Sequence, residues 1–385
     1  MRDFPFGAVV AGFVAVLVGY TSSAVIVFEA ARAAGATPAQ TASWMWALGV
    51  GMGLTTIILS LRYRMPVLTA WSTPGAALLI TGVGGLPMAE IIGAFVLTGL
   101  AIVVIGLSGA FDRLMKRLPT ALAAAMLAGV LLRFGLDAFG AMKSQFALVF
   151  AMFASYLVGR RVWPRFAVPV ALAVGASIAG TLGLFGALEW PTGLTRPEFV
   201  APELSWAAAI GVALPLLVVT MASQNVPGVA TLHAHGYTPP VSPIITTTGV
   251  ATTLLAPFGG YAFNLAAITA AICMGQDAHP DPARRYTAAV SAGVIYVLIG
   301  LFGGAVAGLF AAFPRELVLA IAGLALLGTI GNGLAAALKE EATRDAAVIT
   351  FVATASGVTL FSIGSAFWGL VAGLLALAVR GWRQR

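Results

Sequence analysis

The chain has 385 residues, of which 60% are apolar and only 9% are charged, and its formal net charge is +7. These proportions exclude a soluble globular domain and are typical of a polytopic membrane protein. Apolar runs recur from Phe4 to Ala378, so we expect the whole chain to be membrane domain.

The sequence predicts about fourteen membrane segments, several of them too short or too rich in Gly and Pro to be ideal spanning helices of about 20 residues. Because Met1-Arg2-Asp3 leads directly into the first segment, we expect no cleaved signal peptide. In chain order the segments are 4–28, 40–60, 66–84, 87–109, 118–135, 143–159, 166–188, 204–226, 240–258, 261–276, 284–311, 315–336, 345–360 and 362–380.

The basic residues follow the positive-inside rule, which predicts that both termini are cytoplasmic. This distribution makes the net charge a topology signal, so we expect the lipid bilayer and no nucleic acid as a partner. On the predicted cytoplasmic side are Arg2, Arg62, Arg64, Arg113, Lys116, Arg117, Arg160, Arg161, Arg165, Arg284, Arg285, Lys339, Arg344, Arg380, Arg383 and Arg385. On the opposite side are Arg32, Arg133, Lys143, Arg196 and Arg315.

The two halves of the chain align weakly at an offset of about 200 residues. The longest polar stretch, Glu189 to Glu203, separates them and is predicted to be an extracytoplasmic linker. Thr37-Pro38 aligns with Thr238-Pro239, and Gly49-Val50 with Gly249-Val250. Because seven segments per half is an odd number, the second repeat should be inverted relative to the first.

Each half also contains an apolar segment that begins as an extended run and becomes a helix. In the first half Ser72 or Thr73 is a good N-cap, with Pro74 in the first helical turn. In the second half we expect Asn264 to be the N-cap. A helix that starts in mid-membrane is tolerated only where it lines a cavity, and its free N–H groups suit an anion.

Four motifs carry a resemblance to a known family, and it covers essentially the whole chain. They are Gly19-Tyr20-Thr21-Ser22-Ser23, the segment from Pro66 to Gly75, Ser223-Gln224-Asn225-Val226-Pro227-Gly228, and the segment from Pro257 to Asn264. With these motifs the chain resembles the benzoate:proton symporter (BenE) family.

The resemblance implies an all-α polytopic fold, a seven-plus-seven inverted repeat shared with uracil/xanthine permeases and sulfate-type anion transporters. Segments 3 and 10 would each be a short strand plus a half-helix. Segments 1–4 (1–110) and 8–11 (204–311) would form a core domain. Segments 5–7 (111–203) and 12–14 (312–385) would form a gate domain, and the substrate would lie between the half-helices and segments 1 and 8.

One departure from the uracil-type relatives concerns charge. Those relatives carry acidic residues in segments 8 and 10, where this chain has the neutral amides of Gln224, Asn225 and Asn264. Such a change favours a carboxylate substrate, because a fixed negative charge beside it would repel it.

A site for an aromatic carboxylate needs an anion cradle and an aromatic slot. Ser and Thr in membrane helices also commonly bond to their own backbone, and Trp71 could equally pack between helices. If the second run is extended, Tyr261 and Phe263 should share a face. The candidate cradle residues are Tyr20, Thr21, Ser22, Ser23, Ser72, Thr73, Gln224, Asn225 and Asn264, and the candidate ring contacts are Trp71, Tyr261 and Phe263.

The predicted membrane segments contain few ionisable residues that could couple transport to protons. Glu90, early in the fourth segment, is the best candidate, whereas Glu29, Asp277, His233 and His235 are expected at aqueous ends. The alternative is that the substrate brings its own proton, since a carboxylic acid with a pKa near that of Glu, about 4.3, can bind as anion plus proton.

The function that these observations favour is a proton-coupled secondary transporter in the bacterial inner membrane that imports benzoate or a similar carboxylate by alternating access. The alternatives are a transporter of another small anion or a nucleobase, or an anion or water channel. An aqueous pore would favour small residues beside the two predicted helix caps, where this chain has Trp71, Tyr261 and Phe263. We find no hydrolase, zinc or nucleotide-binding motif, so we expect no enzyme activity, no metal and no cofactor. Cys273 is the single cysteine, which excludes an intramolecular disulfide. Glycines four residues apart, such as Gly49 and Gly53, are consistent with a homodimer but also with close packing of helices within the core domain.

Overall fold

The computed structural model describes residues 6–111, 120–187, 193–276, 278–358, 360 and 365–382. Helices dominate this part of the chain, interrupted by two short strands, β1 (Thr69–Ala70) and β2 (Asn264–Leu265). The helices are α1 (Phe6–Ala33), α2 (Pro38–Tyr63), α3 (Thr73–Gly82), α4 (Met88–Leu107), α5 (Thr120–Gly140), α6 (Phe146–Val162), α7 (Ala167–Thr181), α8 (Trp206–His233), α9 (Val241–Leu255), α10 (Ile268–Met274), α11 (Tyr286–Leu301), α12 (Gly303–Ala311), α13 (Arg315–Ala337), α14 (Glu341–Ala355) and α15 (Ser365–Trp382).

Six of the described helices are long and apolar enough to cross a membrane, namely α2, α4, α5, α8, α9 and α13. The number rises to eight if each of two bent pairs is one span. One pair is the two parts of α1, which meet at 41° between Tyr20 and Ser23, and the other is α11 with α12, which meet at 70°. The chain is therefore a multi-pass, mostly helical membrane protein.

The predicted segment 284–311 is not one continuous helix, because the structure breaks it at Phe302 into α11 and α12. Thr195 of the central linker stabilises the break. Its N–H donates to the Leu301 carbonyl at 2.8 Å, and its hydroxyl oxygen accepts the Gly304 N–H at 2.8 Å. A partner that satisfies backbone groups at a helix break is the usual cause of such a bend.

Two long helix pairs pack with backbones in direct contact, α2 against α11 and α4 against α9. A Cβ atom added to Gly49 would lie 2.6 Å from the Gly300 Cα, and one added to Gly53 would lie 2.5 Å from the Gly293 carbonyl oxygen. On the other pair, a Cβ on Gly99 would lie 2.7 Å from the backbone nitrogen of α9 that it faces. Glycine permits this close approach in membranes, where packing rather than hydrophobicity holds helices together.

The two strands meet among buried residues as an antiparallel pair, the strand crossing. Thr69 faces Leu265 and Ala70 faces Asn264, and the Ala266 N–H continues the pairing to the Leu68 carbonyl at 2.9 Å. The predicted extended run followed by a helix is thus confirmed in both halves. The strands come from opposite halves, so their pairing joins the two broken segments, and α3 and α10 begin at opposite ends of it.

Threonines on neighbouring helices satisfy backbone donors of the extended runs. The Thr69 N–H donates to the Thr56 hydroxyl oxygen of α2 at 3.0 Å. In the second half the Phe263 N–H donates to the Thr252 hydroxyl oxygen of α9, also at 3.0 Å. Since hydrocarbon offers no water to unpaired N–H groups, these bonds are a condition for non-helical backbone at this depth.

The central linker lies along the ends of the helices rather than extending from them. The Val200 N–H donates to the Pro257 carbonyl at 2.8 Å, the Glu203 N–H to the Ala89 carbonyl at 2.9 Å, and the Glu198 N–H to the Ser43 hydroxyl at 2.9 Å. Residues 188–192, where the predicted linker begins, lie outside the described residues.

Candidate functional site

Ser72 is the N-cap of α3, as its position before Thr73-Pro74 predicted. Its hydroxyl oxygen accepts the Gly75 N–H at 3.1 Å and a second bond from the Thr220 hydroxyl of α8 at 3.0 Å. With both lone pairs occupied, the Ser72 hydroxyl hydrogen is left to donate to a ligand. Ser72 is fully buried, and this donor lies where α3, α8 and the strand crossing meet.

The anion cradle at the start of α3 is smaller than the sequence suggests. Pro74 has no N–H, Gly75 donates to the Ser72 side chain, and Ala76 donates to the Ser72 carbonyl at 2.8 Å. In the described part of the chain this leaves only the N–H of Thr73, a half-buried residue, without an acceptor.

Trp71 joins the strand crossing to the bend in α1. Its indole N–H donates to the Ser23 hydroxyl at 3.0 Å, and its ring meets that of Tyr20 edge to face at 4.9 Å. Ser23 in turn donates to the Gly19 carbonyl at 2.7 Å. The hydroxyl of Tyr20 is buried and has no partner within the described part of the molecule, so it is available to a ligand.

Asn225 lies in an irregular turn of α8. Residues Met221–Asn225 form a π-helical turn, a feature common at functional sites because it redirects side chains and backbone groups. The Asn225 side-chain oxygen accepts the Leu265 N–H of β2 at 3.0 Å. Among the described residues, its amide nitrogen has only the Met221 sulfur as a partner, at 3.5 Å. Gln224, in the same turn, is half-buried.

The prediction that Asn264 caps the second half-helix is wrong. Asn264 belongs to β2 and pairs with Ala70, so the extended chain continues past it and α10 begins only at Ile268, without a side-chain cap. The Asn264 amide nitrogen donates to the Ala262 carbonyl at 2.9 Å, and its oxygen is buried with no partner among the described residues. Ile268 is 77% exposed, so α10 begins beside accessible space.

The prediction that Tyr261 and Phe263 share a face of an extended run is also wrong. Ala262 between them has a φ of 42°, in the left-handed region, which breaks the alternation of side chains. Both rings are fully buried. Tyr261 packs against Trp44 and Phe95, with ring centroids 6.0 and 5.5 Å away, so its ring belongs to the contact between α2 and α4.

Some predicted residues are not brought to this crossing by any described contact. Glu90 is in the first turn of α4, where the Ser205 hydroxyl donates to its carboxylate. Glu29 pairs with Arg32 at 3.4 Å at the end of α1. His233 and His235 are exposed at the end of α8, as expected. Asp277 and the side chains of Thr21 and Ser22 lie outside the described residues.

Two residues at the strand crossing were not predicted from the sequence. Thr220 holds the Ser72 hydroxyl, and it precedes the polar Gln224-Asn225 pair by about one helical turn, which could have drawn attention to it. Tyr296 of α11 stacks obliquely on Tyr20, with centroids 6.0 Å apart. Its position on a helix distant in sequence gave no local signal.

The described crossing is therefore a neutral, mostly buried set of donors and acceptors. Ser72 and Tyr20 offer hydroxyl groups, Asn225 offers an amide N–H, and Asn264 offers an amide oxygen. A small number of polar groups without protein partners is typical of small-ligand sites.

Comparison with known proteins identifies the family. The family model described as "BenE: Benzoate membrane transport protein" matches residues 2–379. The chain belongs to the BenE family. It is 52% identical over 375 residues to "Inner membrane protein YdcO" of Escherichia coli, covering 97% of this chain and 96% of that protein. It is 41% identical over 375 residues to the "Benzoate membrane transport protein" of Acinetobacter baylyi, covering 97% of this chain and 95% of that one.

Solved structures share the fold at low sequence identity. The transmembrane domain of the cyanobacterial bicarbonate transporter BicA aligns with a TM-score of 0.62 at 12% identity, covering 97% of this chain and 98% of that domain. SLC26A9 aligns with a TM-score of 0.67 at 14% identity, covering all of this chain and 66% of that one. This BenE-family chain is a membrane transporter whose fold is shared with anion transporters.

Proposed function

We propose that this BenE-family transporter imports benzoate or a similar aromatic carboxylate by alternating access, together with a proton. The observation that carries the proposal is the neutral hydrogen-bonding set at the strand crossing, in a chain 41% identical to a benzoate transport protein. A carboxylate fits this set because Ser72 and Asn225 offer N–H or O–H donors and no fixed negative charge.

The proposed binding mode has two parts. The carboxylate lies against the hydroxyls of Ser72 and Tyr20, the Thr73 N–H and the amide of Gln224 or Asn225. The aromatic ring lies beside Trp71, whose edge-to-face contact with Tyr20 at 4.9 Å fixes its orientation. Of the other candidates, Ser23, Asn264, Tyr261 and Phe263 act by supporting this arrangement, and Thr21 and Ser22 are proposed as substrate contacts from the sequence alone.

The proposed architecture is an inverted repeat of two seven-segment halves with core and gate domains. Helix packing supports it. In an inverted repeat α2 corresponds to α9 and α4 corresponds to α11, so the contact of α2 with α11 has its counterpart in the contact of α9 with α4. Likewise, the contact of α6 with α7 has its counterpart in the contact of α14 with α15. On this basis 1–110 and 204–311 form the core domain, and 111–203 and 312–385 form the gate domain.

Proton symport is proposed on energetic grounds. An anion entering against a negative inside potential faces roughly 2.3 kcal/mol per 100 mV, and one proton per carboxylate removes this term. The proton travels either on Glu90 or on the substrate's own carboxyl group. Because the described crossing holds no acid, Glu90→Gln distinguishes the two. A variant that still accumulates benzoate in response to a proton gradient assigns the proton to the substrate.

We further propose that the protein lies in the bacterial inner membrane with both termini in the cytoplasm. The Escherichia coli relative, 52% identical, is named an inner membrane protein, and the basic loops support this orientation. A reporter fused to either terminus, active only on one side of the membrane, tests the orientation.

Uptake of labelled benzoate into proteoliposomes tests the function directly. We expect accumulation driven by an inward proton gradient, and competition by hydroxybenzoates but not by bicarbonate or uracil. Uptake that ignores the gradient contradicts symport. Saturable uptake of bicarbonate or uracil in place of benzoate contradicts the proposed substrate, and unsaturable flux favours a channel.

A further inference from the structure

A cavity of about 980 Å³ opens at the end of the molecule where α1 and α5 finish and where α2 and α13 begin. Its walls come from these helices together with α3, α12 and the central linker. The innermost wall residues include Val25 and Ile80. Val25 lies two residues beyond Ser23 on α1 and Ile80 belongs to α3, the helix that Ser72 caps, so two helices that carry residues of the strand crossing also line the cavity.

Arginines dominate the charge of this cavity. Among the described residues its lining includes four arginines, Arg32, Arg133, Arg196 and Arg315, and two acids, Glu29 and Asp137. These are four of the five basic residues that the charge pattern leaves on the side opposite the Arg-rich loops. The positive-inside rule gives no reason for basic residues here, so their collection around one opening needs another explanation.

The ion pairs inside the cavity leave positive charge uncompensated. Glu29 pairs with Arg32 at 3.4 Å, and Asp137 with Arg133 at 3.9 Å. In the part of the chain that the structure describes, Arg196 and Arg315 form no ion pair. All four guanidinium groups are on exposed residues, so solvent that enters the opening can reach them.

We propose that this cavity, the arginine vestibule, attracts small organic monocarboxylates and raises their local concentration before they reach the strand crossing. A water-filled cleft with one sign of charge and low-dielectric walls focuses the field and raises the capture rate of an opposite charge. Exposed arginines suit this role because they attract an anion without holding it as a buried site would. The inference rests on the proposed transport of a carboxylate and adds a second, outer location for it.

The first test measures the electrostatic potential and needs no transport. Leu194, in the vestibule wall, is 63% exposed, and the chain's only cysteine, Cys273, is buried, so Leu194→Cys gives a single reactive thiol. The ratio of its reaction rates with an anionic and a cationic methanethiosulfonate reagent reports the local potential. At low salt we expect R196Q/R315Q to lower this ratio about tenfold.

A matched control removes two arginines from the opposite face. R62Q/R161Q lowers the net charge by the same two units as R196Q/R315Q, but at the ends of α2 and α6 that lie away from the vestibule. We expect it to leave the ratio unchanged. An equal fall in both double variants, or no fall in R196Q/R315Q, overturns the inference.

The second test measures benzoate uptake by right-side-out vesicles at low and high ionic strength. We expect the KM of the wild type to rise several-fold with salt, because the Debye length falls from about 30 Å at 0.01 M to about 3 Å at 1 M. R196Q/R315Q should start with the higher KM and show little salt dependence. A wild-type protein that transports no benzoate refutes the proposed function. The thiol reaction ratio then still tests, independently of transport, whether the vestibule arginines attract anions.

Discussion

Asn225→Asp tests directly whether an anion binds beside the π turn of α8. The substitution is nearly isosteric, and the carboxylate can still accept the Leu265 N–H that the Asn225 oxygen accepts at 3.0 Å. The strand crossing should therefore keep its structure. What changes is that a negative charge enters a set of residues that is otherwise neutral.

The expected cost follows from Coulomb's law. With the substrate carboxylate about 6 Å from the new charge and an effective dielectric constant of about 20, the repulsion is about 3 kcal/mol. That corresponds to a loss of about 100-fold in apparent affinity. Lowering the pH protonates the new carboxyl group, so the ratio of variant to wild-type uptake should recover towards acid pH.

The assay is proteoliposome uptake of labelled benzoate over a range of concentrations and pH. Asn332→Asp, on an exposed position of α13, is the control for net charge and should transport normally. Asn225→Ala separates charge from structure, because it leaves the Leu265 N–H unpaired at a cost of about 1–3 kcal/mol in stability. Wild-type KM in Asn225→Asp would refute an anion site at this turn.

Three further predictions concern the same region. Trp71→Phe should raise the KM for benzoate about tenfold, because it removes one hydrogen bond and part of an aromatic contact. The control is Trp44→Phe, which truncates a similarly buried tryptophan and should lower stability but leave KM unchanged. Ser72→Ala should cost about 1 kcal/mol of helix-capping energy and raise the KM for benzoate about fivefold. The control is Ser177→Ala, because the Ser177 hydroxyl donates to a carbonyl of its own helix. Equal KM values in the two variants would contradict a role for Ser72. Gly49→Ala should lower the thermal unfolding temperature in detergent, because its Cβ would lie 2.6 Å from the backbone of α11, and an unchanged temperature would show that this contact can relax.

Local chemistry explains why the sequence predicted the first broken segment well. Ser72 is followed by Pro74 and Gly75, and a cap depends only on residues within one turn, so the start of α3 at Thr73 follows from four adjacent residues. The same reasoning failed at Asn264. An N-cap and a strand residue have similar extended backbone angles, and only the pairing with Ala70 from the other half decided between them.

Side-chain directions were beyond prediction for a related reason. Alternation assumes regular strand angles, and the left-handed Ala262 removes that regularity next to Tyr261 and Phe263. The Asn264 side chain holds this turn through its bond to the Ala262 carbonyl. Such a bond stabilises a conformation that costs an L-residue about 1 kcal/mol or more.

By itself the sequence determined the membrane class, the approximate helical segments, the family and the two broken segments, because hydropathy, caps and motifs are properties of neighbouring residues. Only the tertiary structure decided which polar groups remain free. The Thr220 hydroxyl donates to the Ser72 hydroxyl oxygen, and the Leu265 N–H donates to the Asn225 side-chain oxygen. Arginines from four separate elements line one cavity. These arrangements join residues far apart in the chain, and their energies depend on distances that no local pattern encodes.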